Sequence, residues 1–127
     1  MPTAVTEGIR VTVRAEYLPD RSLPESATYA FAYTVYIENE GTARVQLRRR
    51  HWVITDGDGK VEEVEGPGVV GQQPILDPGE AHRYTSGAVL RTPVGTMEGT
   101  YEMHAEGGRV FQAHIPRFPL HVPGVVQ

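Results

Sequence analysis

Between Ile9 and Tyr17 apolar and polar side chains alternate at every step: Ile9, Val11, Val13, Ala15 and Tyr17 on one side, Arg10, Thr12, Arg14 and Glu16 on the other. An extended chain turns successive side chains to opposite faces, so a two-residue apolar period specifies a half-buried strand and not a helix. The period recurs over Tyr29–Asn39, with Tyr29, Phe31, Tyr33, Val35 and Ile37 on the apolar face. Further strands are expected at 45–55, 60–65, 75–76, 81–86 (anchored by Tyr84), 95–105 (Tyr101, Met103 and Ala105 inward) and 110–115. Turn-forming clusters separate them: Asn39-Glu40-Gly41, Asp56-Gly57-Asp58-Gly59, Asp77-Pro78-Gly79-Glu80 and Glu106-Gly107-Gly108. No stretch sustains a 3.6-residue apolar period, so essentially no α-helix is expected. Seven or eight short antiparallel strands without βαβ spacing predict an all-β sandwich of immunoglobulin or fibronectin type III kind.

Two parity conflicts predict irregularities. In 45–55, Val45 and Leu47 are odd-numbered whereas Trp52 and Ile54 are even, which calls for a β-bulge near 48–51. In the last hairpin, a two-residue Gly107-Gly108 loop would place Met103 and Phe111 on opposite faces; burying both requires a connection of odd length or a bulge. After Pro116 the density of prolines predicts an extended tail.

The 127 residues fit one domain, 1–127, with 1–7 and 117–127 as extended tails. Cysteine is absent, which excludes disulfides, thiolate catalysis and cysteine-based zinc sites. No apolar run approaches the roughly 18 residues needed to cross a bilayer. Met1-Pro2-Thr3-Ala4-Val5-Thr6-Glu7 has neither a basic nor an apolar leader region, and a cytoplasmic location is expected. A net charge of −4 disfavours nucleic-acid binding, which depends on Lys and Arg displacing counterions. The one basic run, Arg48-Arg49-Arg50, falls in a strand pattern and divides between two faces.

The segment Gly66-Pro67-Gly68-Val69-Val70-Gly71 carries the spacing G-x-G-x-x-G. In dinucleotide sites that spacing delivers pyrophosphate to the N-terminus of a helix. Here Gln72-Gln73-Pro74 follows, Pro74 and Pro78 leave no room for a helix, and the Gly-Lys-Ser/Thr of a phosphate-binding loop is missing. The expected role of the glycines is to permit positive φ in a sharp loop between sheets. Two binding roles remain: an anion nest built from successive amides, and an apolar tip formed by Val69 and Val70 for a protein partner. Gly66, Gly68, Val69, Val70, Gly71 and Gln73 are therefore the candidate binding residues, with the 56–59 hairpin as a neighbouring surface.

The remaining constellations are weaker. Asp56-Gly57-Asp58-Gly59 opens like a calcium loop, but Lys60 and Pro67 stand at positions that require oxygen ligands. Asp56, Asp58 and Glu62, or Glu102, His104 and Glu106 along one strand face, are the candidate sites for a divalent cation. Ser86, in Thr85-Ser86-Gly87, is not in a nucleophile elbow. No catalytic set and no cofactor is expected. Tyr29, Tyr33 and Tyr101 are expected in the core or a tyrosine corner.

The run from Arg50 to Gly59, the run from Glu63 to Pro74, and Pro78-Gly79-Glu80, Tyr84-Thr85-Ser86-Gly87, Tyr29-Ala30-Phe31-Ala32-Tyr33-Thr34-Val35 and the segment from Thr92 to Met103 together resemble the ApaG family, also called CorD. The resemblance spans nearly the whole chain. It implies a fibronectin type III-like β-sandwich and a small stand-alone bacterial cytosolic protein of undefined biochemical function, linked genetically to cobalt tolerance and magnesium efflux. Related domains in eukaryotic F-box proteins and in a DNA-polymerase-delta-interacting protein imply partner binding. The family supplies no catalytic residues; its glycine motif, here Gly66, Gly68 and Gly71, is pyrophosphate-like. A non-catalytic protein-binding module is the first expectation, phosphate or nucleotide binding through 66–71 the second, and weak cation binding the third.

Overall fold

The computed structural model describes residues 1–125; the last two residues of the expected C-terminal tail lie outside the described residues. Nine strands are present among them: β1 (Thr3–Thr6), β2 (Ile9–Tyr17), β3 (Tyr29–Asn39), β4 (Val45–Asp56), β5 (Val61–Pro67), β6 (Ile75–Leu76), β7 (Ala81–Leu90), β8 (Val94–Ala105) and β9 (Val110–His121). The only helical elements among the described residues are short 3-10 turns at Pro19–Arg21 and Pro24–Ser26. None of the helices is long and apolar enough to cross a membrane.

All pairings are antiparallel and form two sheets, β1-β2-β3-β7 and β5-β4-β8-β9, with β6 also on β4. The alternating faces meet between the sheets. Val11, Val13, Val35, Ile37, Tyr101, Met103 and Ala113 are fully buried there. Trp52 sits at the centre of an aromatic cluster, with ring centroids 5.2 Å from Tyr33, 5.9 Å from Phe118 and 6.3 Å from Tyr101. Edge-on packing of this kind adds to the area each ring removes from water.

Both parity conflicts resolve as irregular registers. The pairing of β4 with β8 slips between Leu47 and Arg49, leaving Arg48 as the extra residue of a bulge. The last hairpin pairs Met103 with Phe111, and Ala105 N–H donates to Arg109 O at 2.7 Å. That closes an odd-length turn over Glu106, Gly107 and Gly108, and puts Met103 and Phe111 on one face.

Both ends differ from the expected tails. Thr3–Thr6 pairs with β2. β9 passes through Pro116 and continues to His121, with Phe118 and Leu120 buried. Its inward residues switch from odd (Phe111, Ala113, Ile115) to even (Phe118, Leu120) at a register shift against Met97/Gly99. The prolines are tolerated because β9 is the last strand of its sheet, where a missing N–H faces away from the ladder. β7 likewise extends past Ser86 to Leu90.

One side of the sandwich is closed and the other is open. β1 and β9 meet, and Thr6 Oγ1 accepts the His114 N–H at 3.0 Å. On the opposite side β5 and β7 are the edge strands, and a cleft of about 390 Å3 lies between them.

Candidate functional site

The glycine segment does not cross between sheets. β5 and β6 lie end to end along β4, β5 opposite 49–55 and β6 opposite 45–46, and residues 68–74 loop out between them. The loop is fastened to the bulge in β4. The Arg48 carbonyl accepts the Gly68 N–H at 2.8 Å and the Gln73 side-chain amide at 3.0 Å, and Leu47 N–H donates to Pro74 O at 3.0 Å.

At its tip the loop is a miniature hairpin. Val69 and Gln72 exchange both backbone hydrogen bonds, at 2.8 and 3.0 Å. Val70 and Gly71 between them have φ of +46° and +76°, the two positive values of a type I′ turn. The amides of Gly68 and Val69 are thus spent on carbonyls of this chain, which removes them from an anion nest. Each motif residue has a distinct place. Gly66 and Gly68 are buried; Val69 is 1% exposed and belongs to the core; Val70, Gly71 and Gln73 are exposed. The expected two-valine tip is therefore corrected to Val70 alone, because Val69 points inward to fill the sandwich end. Val70 is a β-branched residue in the left-handed region, which such residues rarely occupy.

Gly66 has another purpose. It lies within β5 opposite Arg50, and a Cβ there would stand 3.0 Å from Arg50 Nη1. The guanidinium uses this space to reach the Pro67 and Gly68 carbonyls at 2.9 and 3.1 Å. In the sequence Arg50 belongs to the basic run Arg48-Arg49-Arg50, which parity divides between two faces. The signal that singles it out is that it shares the inward parity of Trp52 and Ile54.

The cleft beside Arg50 is lined by Tyr33, Trp52, Ile54, Glu62, Val64 and β7 residues from Ser86 to Val89. Ser86 is directly opposite Tyr33 in register. Burial pushes the Tyr33 phenol above its ordinary pKa, an effect partly offset by the Ser86 hydroxyl and by the charge of Arg50. Deeper in, the hydroxyls of Tyr84 and Tyr101 hydrogen-bond to each other; of the two places expected for Tyr33 and Tyr101, the core is the one they take. Burial, acting first, raises the pKa values of Tyr84 and Tyr101.

The candidate cation ligands are occupied otherwise. Asp56 Oδ1 accepts the Asp58 and Lys60 N–H groups, each at 2.9 Å, and so shapes its own turn. Glu102 and His104 pair at 2.9 Å, while Glu106 lies in the turn beyond β8. Among the described residues no group of three or more His, Asp or Glu side chains converges as metal ligands would. The 56–59 hairpin and the glycine hairpin stand at opposite ends of β5, so they are joined by that edge and are not neighbours.

The family model for the ApaG domain matches residues 19–105. Protein ApaG of Pseudomonas entomophila is 54% identical over 118 residues, covering 93% of this chain and 94% of that protein. This chain belongs to the ApaG family. Protein ApaG of Rhodospirillum centenum is 55% identical over 123 residues, covering 97% and 95% of the two chains. A solved Bordetella pertussis structure assigned the name ApaA shares 48% identity and superimposes with a TM-score of 0.88 over 98% of both chains. The ApaG fold is therefore the two-sheet sandwich described above, and β1, β2 and β9, outside the matched 19–105, complete its layers.

Proposed function

We propose that this ApaG domain is a non-catalytic binding module that pairs with an extended, basic segment of a protein partner along the free edge of β5. The observation that carries this is the edge itself. β5 is hydrogen-bonded to β4 on one side only, and its residues are exposed except at Gly66.

Hydrogen bonds at both ends define which way its backbone points. Asp56 N–H to Lys60 O at 2.9 Å and Gly68 N–H to Arg48 O at 2.8 Å put the even-numbered residues in the bonded pairs with β4. The amide and carbonyl groups of Val61, Glu63 and Glu65 then face outward; Pro67 has no N–H to offer a ladder and its carbonyl accepts from Arg50. Such an edge is a template for strand addition. Glu62, Glu63 and Glu65 call for Lys or Arg on the added strand, and exposed Val64 calls for an apolar residue between them. Val70 at the end of the same edge, strained and 63% exposed, adds an apolar contact. On this reading, a link between the family and cobalt or magnesium runs through the partner.

Peptides selected from a displayed library against this protein should be extended and alternate basic with apolar residues. Glu63→Pro removes an outward N–H without touching the β4 ladder, and should abolish their binding while leaving the fold intact. Selected peptides that bind wild type and Glu63→Pro equally would refute edge pairing.

A further inference from the structure

The floor of the cleft between β5 and β7 is a two-strand ladder with charge at each end. Arg50, Trp52 and Ile54 share one face of β4, and Gly66, Val64 and Glu62 stand opposite them in that order. The Arg50 and Glu62 positions are thus four residues apart along the sheet, about 13 Å at the strand rise. Between the two charges the lining is apolar: Trp52, Ile54, Val64 and Met97, with Ala88 on the facing wall.

Arg50 is half-buried and forms no ion pair among the described residues. Its Nη1 protons go to Pro67 and Gly68, but Nη2 and Nε have no protein acceptor among the described residues. An arginine held in place by two carbonyls, with its second edge unspent, is a preorganised fork for a two-oxygen anion. The Tyr33 and Ser86 hydroxyls line the same space. Trp52 lines it too, and its indole Nε1 is the one buried side-chain polar atom without a hydrogen-bond partner among the described residues. The volume, about 390 Å3, is that of a small-ligand pocket.

We infer that this cleft binds a small organic molecule carrying a single oxyanion, a carboxylate or a phosphate monoester, on an apolar body. The oxyanion docks on Arg50 with the Tyr33 and Ser86 hydroxyls beside it, and the apolar body lies along Trp52, Val64 and Ala88. Glu62 at the far end repels a second negative charge, so dianions with an acid at each end are disfavoured. The anion site that the glycine motif suggests is thus moved from the loop amides to the guanidinium behind them, and Gly66 is the residue whose missing side chain makes room for it.

Trp52 is the only tryptophan, so its fluorescence and indole N–H resonance report on the cleft directly. Titration with phenylacetate and with phenyl phosphate should give a saturable response from Trp52, whereas benzyl alcohol, of similar shape and uncharged, should give none. The tighter of the two anions identifies the oxyanion. Arg50→Lys keeps the charge but loses the fork and should weaken binding about 10-fold. Glu62→Gln, at an exposed rim position, should tighten it about 3-fold by removing a like charge. Glu63→Pro should leave the Trp52 response unchanged, which separates this site from partner pairing on the outer edge. Equal binding of benzyl alcohol, no saturable response to either anion, or unchanged affinity in both Arg50→Lys and Glu62→Gln would overturn the inference.

Discussion

Arg50 lies across the backbone of Gly66, with Nη1 3.0 Å from where a Cβ on Gly66 would be. The contact ties β4, β5 and the glycine loop into one unit, because the same guanidinium holds the Pro67 and Gly68 carbonyls. Gly66→Ala asks the guanidinium to shift by a few tenths of an ångström and should cost about 1 kcal/mol. Gly66→Val displaces it and should cost about 2–3 kcal/mol, since two carbonyls lose a charged donor. Urea melts of Gly66→Val, Arg50→Ala and the double variant should be strongly non-additive, the penalty of Gly66→Val largely vanishing once Arg50 is gone.

The two positive-φ glycines of the motif should differ sharply. At Gly68 a Cβ would meet the Gln72 carbonyl oxygen at 2.3 Å; at Gly71 it would meet nothing within 4 Å. Gly71→Ala should cost only the left-handed backbone penalty, about 1–2 kcal/mol. Gly68→Ala adds a clash with the backbone of the hairpin it supports and should cost about 3 kcal/mol or more. Chemical denaturation of both variants checks the order.

Val70 occupies the first central position of a type I′ turn followed by Gly71. Asn-Gly is the preferred pair for that turn, so Val70→Asn should stabilise the protein by about 1 kcal/mol. The same substitution should weaken any selected peptide whose contact includes the Val70 side chain. A rise in Tm together with weaker binding would show strain retained at an interaction surface.

Residues 117–121 are structural, in contrast to the tail that their prolines suggest. Phe118 is 2% exposed and packs on Trp52 and Tyr33. Phe118→Ala should cost about 3–5 kcal/mol, the usual loss for a buried aromatic, and should alter Trp52 fluorescence in the folded state. Ending the chain at Pro116 should be at least as damaging.

Tyr33, Tyr84 and Tyr101 carry phenols whose burial holds their pKa above the ordinary 10.0. A raised folded value means the folded state keeps protons that the unfolded chain releases. Their contribution is therefore fully present below pH 10.0 and is lost as pH climbs from there towards the folded values. Absorbance titration should show these three ionising late, together with loss of near-ultraviolet circular dichroism. Tyr84→Phe leaves the Tyr101 hydroxyl without its partner and should lower stability at neutral pH by about 1–2 kcal/mol.

The strands and their faces were legible in the sequence because side-chain alternation is local: Ile9 to Tyr17 and Tyr29 to Ile37 go where their own parity sends them. Parity also exposed its own exceptions, the Arg48 bulge and the odd-length Glu106-Gly107-Gly108 turn, since a buried residue on the wrong face demands an extra one somewhere. The path of β9 through Pro116 and Pro119 was hidden. Whether a proline ends a strand depends on whether that strand is an edge, and strand order is not a local property. The glycine motif was hidden for the same reason. Its spacing is compatible with an anion cradle, but its amides are claimed by Arg48 and Gln72, and Gly66 is shaped by an arginine on the neighbouring strand. Within the alternating strands, sequence by itself determined which side chains face inward. Tertiary structure alone decided which backbone groups were already satisfied, which edge remained unpaired and which charge was left facing a cleft, because each of these depends on partners that folding brings together from distant parts of the chain.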